Sequence, residues 1–292
     1  LIPAFLLALA VLLRILSNPL GNVVQKQLTN RGHHPLLVNF LTYLFLAVAC
    51  LVIAAGVDWQ ALPPAFWWYS ILVGMTGAMG NAFLVKALQG GDLSVLGPIN
   101  AYKSVIGMIV GIFFLGEIPG LWGVAGVVLI IYGSYFVLDT TEERFSWALL
   151  QKSAIQYRIW AMILTAIEAV FIKKVILASS TTVAFASWCF FGAIFSFVLL
   201  RVYRLRVGME IKKIKQPDYI KYLLLVLCIG TMQYTTNYVF DRMPVGYALS
   251  LFQLSTLVSV FLGYKIFAEK DMRKKMLGAA IMIVGSVIII LL

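Results

Sequence analysis

Charge is scarce in this sequence: only 12% of its 292 residues are Asp, Glu, Lys or Arg, and the mean hydropathy is +0.95. So little polar surface cannot cover a water-soluble core, which excludes an ordinary soluble domain. Acid is scarcer than base, with 12 Asp and Glu against 23 Lys and Arg. Cysteine is limited to Cys50, Cys189 and Cys228, each alone in an apolar run, so the thiols read as small apolar fillers and imply neither a disulfide framework nor a metal site. The only histidines, His33 and His34, are adjacent before Pro35 with nothing nearby to complete a ligand set, and they read as a solvated turn. No metal or cofactor is expected. The chain opens on Leu1 without a charged n-region or cleavage motif, so no signal peptide is read.

What the sequence has in abundance is long apolar runs. They approach or exceed the roughly 20 residues a helix needs to cross a bilayer, and weak punctuation such as "GVDWQALPP", "QGGD" and "GEIPG" separates them. Ten spans are predicted, near 2–29, 35–56, 65–88, 93–115, 119–138, 153–177, 181–203, 218–240, 245–267 and 272–292. Barrel strands would be shorter and would alternate, so the predicted class is an all-α polytopic membrane protein.

An offset of 152 aligns the chain with itself without a gap: Gly111 with Gly263, Glu117 with Glu269, Gly126 with Gly278, Gly133 with Gly285 and Ser134 with Ser286. It also pairs Asn81 with Gln233, Gln89 with Asp241 and Ser104 with Thr256, while a slightly smaller offset sets Lys26 over Lys173. The reading is two five-helix repeats, 1–138 and 153–292, joined by a polar linker at 139–152. Because five is odd, tandem copies cross the membrane in opposite senses, an inverted-repeat plan common among secondary transporters. The glycines of "GVAGVVLIIYG" and "GAAIMIVG" are also explained by close helix packing alone.

The stretch "ALQGGDLSVLGPINAYKSVIGMIVGIFFLGEIPGLWGVAGVVLIIYGSYFV" resembles the EamA-type module of the drug/metabolite transporter superfamily, with its short turn, early Pro, Gly-Glu pair and spaced glycines. The second copy, ending "FAEKDMRKKMLGAAIMIVGSV", keeps the Glu and the glycines but has Ser250 in place of the Pro and Ala268 before the Glu. With "SNPLGNVVQK" in the first span, the resemblance covers the whole chain. It implies a ten-helix carrier whose central cavity is lined by spans 1, 3, 4, 6, 8 and 9. It implies no particular substrate.

Basic residues crowd the odd-numbered loops and their flanks: Arg31, Arg144, Lys152, Arg201, Arg204, Arg206, Lys212, Lys213, Lys215, Lys221, Lys270, Arg273, Lys274 and Lys275. The even loops offer Lys173, Lys174 and Arg242. The positive-inside rule therefore puts the odd loops in the cytoplasm, opposite to what the resemblance implies for bacterial relatives. The run at 201–221 reads as a loop touching anionic headgroups of the plasma (inner) membrane, and no nucleic-acid partner is expected.

Ionisable and amide groups inside spans are costly and usually face the bundle interior. Arg14, Asn18, Asn22 and Gln25 recur at helical spacing in the first span, where Pro19 frees a backbone carbonyl one turn earlier. The fourth span repeats the pattern with Asn100, Lys103 and Ser104, the eighth carries Gln233, Asn237 and Asp241, and the ninth Gln253 and Thr256. Glu168 is the one acid predicted deep in a span, open to a role as counter-ion, proton-coupling group or cation site. The expected substrate-binding set is Arg14, Asn18, Asn22, Asn81, Asn100, Lys103, Glu168, Gln233, Asn237 and Gln253. Two alternatives stay open: the amides bond helix to helix, or Lys103 pairs with Glu168 as a structural lock. Glu117 and Glu269 begin interhelical turns, where they cap or pair, and stand outside the set.

The function expected is secondary transport of a small polar metabolite bearing a carboxylate or phosphate, by a monomer or weak dimer. Export of organic cations or drugs is the alternative. It is weakened because Thr165, not Glu168, stands eight residues before Lys173, where small multidrug carriers of the superfamily have their Glu. A membrane-embedded enzyme would need a nucleophile–base pair or metal cluster that the residues do not offer, and a scaffold would leave the intramembrane charges unexplained.

Overall fold

A computed structural model describes residues 2–100, 102–116, 118, 120–138, 147–269 and 272–291. Glu117, residues 139–146 of the linker and the Pro98 side chain lie outside the described residues. Among those described, all regular structure is helical. The principal helices are α1 (Ile2–Asn30), α2 (Pro35–Ala49), α3 (Pro64–Gly90), α4 (Tyr102–Leu115), α5 (Leu121–Leu138), α6 (Ser153–Leu177), α7 (Thr181–Val202), α8 (Gln216–Arg242), α9 (Ser255–Phe267) and α10 (Met272–Leu291). Helix therefore lies over each of the ten apolar segments.

Local chemistry sets several starts. Proline occupies the first turn of α2, α3 and α8, where its missing N–H has no partner to lose. The His34 Nδ1 accepts the Leu36 N–H at 3.2 Å and so caps α2, and Ser180 caps α7 by accepting the Val183 N–H at 3.2 Å. Helix α1 runs on through Pro19 for 29 residues, about 43 Å at 1.5 Å per residue. Five segments are long and apolar enough to cross a membrane: Ala4–Asn30, Pro64–Gly90, Thr181–Val202, Gln216–Arg242 and Val245–Phe267. Shorter apolar helices, including α2 and α4, stand beside them.

The fourth and ninth segments, expected as continuous helices, are each broken. A half-helix Leu93–Ile99 precedes α4, and a half-helix Val245–Leu251 leads through a 3₁₀ turn, Phe252–Leu254, into α9. The two half-helices are related by the same offset of 152 that aligns the sequence. In the first copy Pro98 has no N–H to extend the ladder. In the second, Ser250 and Gln253 donate back to the Gly246 and Leu249 carbonyls at 2.9 and 3.1 Å, satisfying backbone acceptors at the break.

Helix pairing is reciprocal between the halves of the chain. α3 packs on α6 and α1 on α8, while the half-helix Leu93–Ile99 packs on α9 and Val245–Leu251 on α4. At the seam between α5 and α10 the backbones themselves come close: a Cβ added at Gly133 would lie 2.7 Å from the Gly278 carbonyl oxygen, and one at Gly285 2.6 Å from that of Gly126. The core holds Trp188, Tyr43 and Phe66 fully buried. Large apolar side chains are exposed around it, among them Phe5, Leu12 and Leu20 of α1 and Leu223 and Leu227 of α8, as lipid-facing positions require.

The histidine turn differs from expectation. His33 is buried, with Nδ1 3.0 Å from the Tyr222 hydroxyl and Nε2 3.2 Å from Asp218 Oδ2. Asp218 also accepts from Arg31 at 2.7 Å and from the Lys215 N–H at 3.0 Å. A carboxylate at the start of α8 has drawn the turn inward and pinned the end of α1 to it.

Candidate functional site

Polar side chains from α1, α3, the first break with α4, α6 and α8 meet around one cavity, which Leu249 and Phe252 of the second break close with apolar surface. In this conformation its cavity volume is about 60 Å³. From the expected set, Arg14, Asn18, Asn22, Asn81, Asn100, Lys103, Glu168 and Gln233 line it. Asn237 and Gln253 do not. Asn237 is fully buried and its carboxamide bonds that of Gln233 at 2.9 Å. Gln253 lies in the 3₁₀ turn, whose tighter winding shifts its direction, and its amide is spent on the Leu249 carbonyl.

Each charged group is held differently. The Arg14 Nε donates to Thr236 Oγ1 at 2.7 Å, its guanidinium carbon lies 4.8 Å from the Phe252 ring centre, and Nη1 is buried without a partner. Asn22 Oδ1 on the same helix is likewise buried and unpartnered. Such groups cost about 1–3 kcal/mol each when left unsatisfied, so they favour a solute that completes them. Glu168 Oε1 accepts the Trp188 indole N–H at 2.5 Å. Gly77 makes room for that carboxylate, since a Cβ there would lie 2.5 Å from Oε1. Asn81 donates to the Tyr43 hydroxyl at 2.6 Å, and the Tyr43 and Trp188 rings sit 4.6 Å apart. Lys103 lines the cavity with no ion pair to Glu168 among the described residues.

Sequence reasoning missed Arg158, which is 5% exposed, lines the cavity and donates from Nε to the Leu96 carbonyl at 2.8 Å. It also left out Thr165, Thr236, Phe240 and Phe252 of the same wall. The signal was there: Arg158, Ala161, Thr165, Glu168 and Ile172 recur every three or four residues along α6. A basic residue one and a half turns inside a span is ordinarily taken to snorkel outward, which hid it.

Beside the cavity, near the end of α1, the Lys26 ammonium donates to Glu269 Oε1 at 3.1 Å and to the Gly91 carbonyl at 2.9 Å, while the Leu93 N–H donates to the same carboxylate oxygen at 2.8 Å. Lys173 donates to the Met243 carbonyl at 2.9 Å. The offset of 152 that relates the halves maps Gly91 onto Met243.

The model of the EamA-like transporter family matches residues 5–139 and again 152–291. A Sinorhizobium protein named "Uncharacterized transporter in cobO 3'region" is 33% identical over 97 residues, 32% of this chain and 68% of that one. A crystal structure of another protein, 15% identical, shares the fold over 96% of each chain with a TM-score of 0.69. Apolar helices, a cavity lined with polar groups and a family match over nearly the whole length agree: the chain belongs to the EamA-like transporter family of the drug/metabolite transporter superfamily and is a multi-pass membrane transporter.

Proposed function

We propose that the protein is a secondary carrier for a small polar solute bearing a carboxylate or phosphate, working by alternating access of two inverted five-helix repeats, 1–138 and 153–292. The observation that carries this reading is the convergence of Arg14 and Lys103 on one cavity with Asn18, Asn22, Asn81, Asn100 and Gln233. Cations supply attraction for an anionic group and the amides supply direction. The reciprocal helix pairing and the matched breaks support the inverted-repeat mechanism, because discontinuous helices at a repeat interface form the sites of many carriers. Glu168 acts as counter-charge or proton-coupling group. The cationic wall speaks against organic cations as cargo, and the protein is no enzyme. It works in the plasma membrane as a monomer or weak dimer with its odd loops in the cytoplasm, the 201–221 segment lying near anionic headgroups.

Reconstitution into liposomes tests the reading. Saturable counterflow of carboxylates or organic phosphates is expected. Counterflow of quaternary amines alone would replace it with cation export, and no flux of any of these would leave a scaffold or enzyme.

A further inference from the structure

We infer that the solute is a divalent anion, and that Arg158 is the residue that selects it over a monovalent one. The inference rests on the carrier reading of the same cavity and adds the charge of the cargo.

Three cationic side chains, Arg14, Lys103 and Arg158, line the cavity against one carboxylate, Glu168, so the described wall carries a formal surplus of two positive charges. Lys103 is within electrostatic reach of Glu168, Arg14 and Arg158. Like charges crowded into a water-poor space repel one another, and a single monovalent solute would leave one of them uncompensated. Glu168 does not relieve this by direct pairing, since it is engaged by Trp188 and forms no ion pair with any of the three among the described residues.

The donors are also left available. Arg14 and Arg158 each spend Nε on a fixed protein acceptor, Thr236 Oγ1 and the Leu96 carbonyl, which orients the guanidinium and leaves its terminal nitrogens free for the cavity. Arg158 is anchored to the half-helix that leads to Asn100 and Lys103, so a solute on Lys103 meets Arg158 from the facing helix. Two cations on separate elements suit a doubly charged phosphate, a sulfate or a short dicarboxylate better than a lone carboxylate.

The test is binding to the purified full-length protein in detergent at pH 8, with ionic strength fixed by sodium chloride. Calorimetry with sulfate, phosphate and succinate is compared with acetate and lactate. Wild type is expected to bind the divalent anions at least tenfold more tightly. Arg158→Gln, whose amide N–H can still reach the Leu96 carbonyl, is expected to weaken divalent anions more than monovalent ones and so to lose the tenfold preference. Arg158→Lys keeps the charge and should keep part of it. Equal affinity for both classes in wild type would overturn the divalent inference and leave the anion-carrier reading standing. No binding of any anion would overturn both. An unchanged preference in Arg158→Gln would remove Arg158 from the selection. If Arg158→Gln fails to fold, the wild-type comparison and Arg158→Lys still decide.

Discussion

The Lys103 ammonium and the Glu168 carboxylate line the same cavity without forming an ion pair, and the carboxylate is held instead by the Trp188 indole at 2.5 Å. A permanent lock between α4 and α6 through these residues is therefore absent from this conformation. Lys103→Met, which keeps length and removes charge, should leave the thermal midpoint near wild type. Anion affinity should fall tenfold or more, about 1.4 kcal/mol for one lost charged contact. A large drop in midpoint that Glu168→Gln rescues would restore the lock.

Glu168→Gln retains a side-chain oxygen for Trp188, so the packing of Tyr43 and Trp188 should survive. Normal insertion and monodispersity with an altered pH dependence of flux are expected. Unchanged flux at every pH would take Glu168 out of the transport step.

The Lys26–Glu269 pair ties α1 to the end of α9 and to the turn before the first half-helix, with both side chains buried. Glu269→Gln leaves a buried ammonium short of its counter-charge and should lower stability by about 3 kcal/mol. The double variant Lys26→Met, Glu269→Gln should recover part of it in thermal unfolding. A double variant as weak as the sum of both single ones would show that the pair acts independently.

His34 caps α2 through an unprotonated Nδ1, and burial pushes its pKa below the usual histidine value, with Glu210 opposing. Its folded-state pKa is depressed, so the neutral ring contributes stability that is present above about pH 6.5 and lost as pH falls through the lower folded value. His34→Asn keeps an acceptor at the cap but does not titrate. Between pH 8 and 5 the wild-type midpoint should fall further than that of the variant, and parallel curves would rule the histidine out.

Orientation is open to labelling. Gln216 is exposed at the start of α8, beside the basic loop. In a background without Cys50, Cys189 and Cys228, a cysteine replacing Gln216 should resist impermeant maleimide in intact cells and react after lysis. Labelling of intact cells would reverse the topology.

Hydropathy made the helices legible because a bilayer leaves no other use for such apolar runs. It hid the breaks, since a run that stays apolar looks the same whether its helix is continuous or not. Pro98 marks one, and nothing comparable marks the other, where Ser250 stands. Helical spacing found the polar faces of α1, α4 and α8, yet could not tell which amides turn back on their own helix, as Gln253 does, or bond a neighbour, as Asn237 does. His33 and Arg158 were missed because their partners, Asp218 and the Leu96 carbonyl, lie 185 and 62 residues away.

The seam of α5 and α10 sets a mechanical boundary on all of this. With Gly133 against the Gly278 carbonyl and Gly285 against that of Gly126, the two backbones meet with no room for a side chain between them. On the alternating-access reading proposed above, this close-packed seam is the fulcrum of rocking between the halves, and the displacement is taken up at the breaks after Ile99 and Leu251.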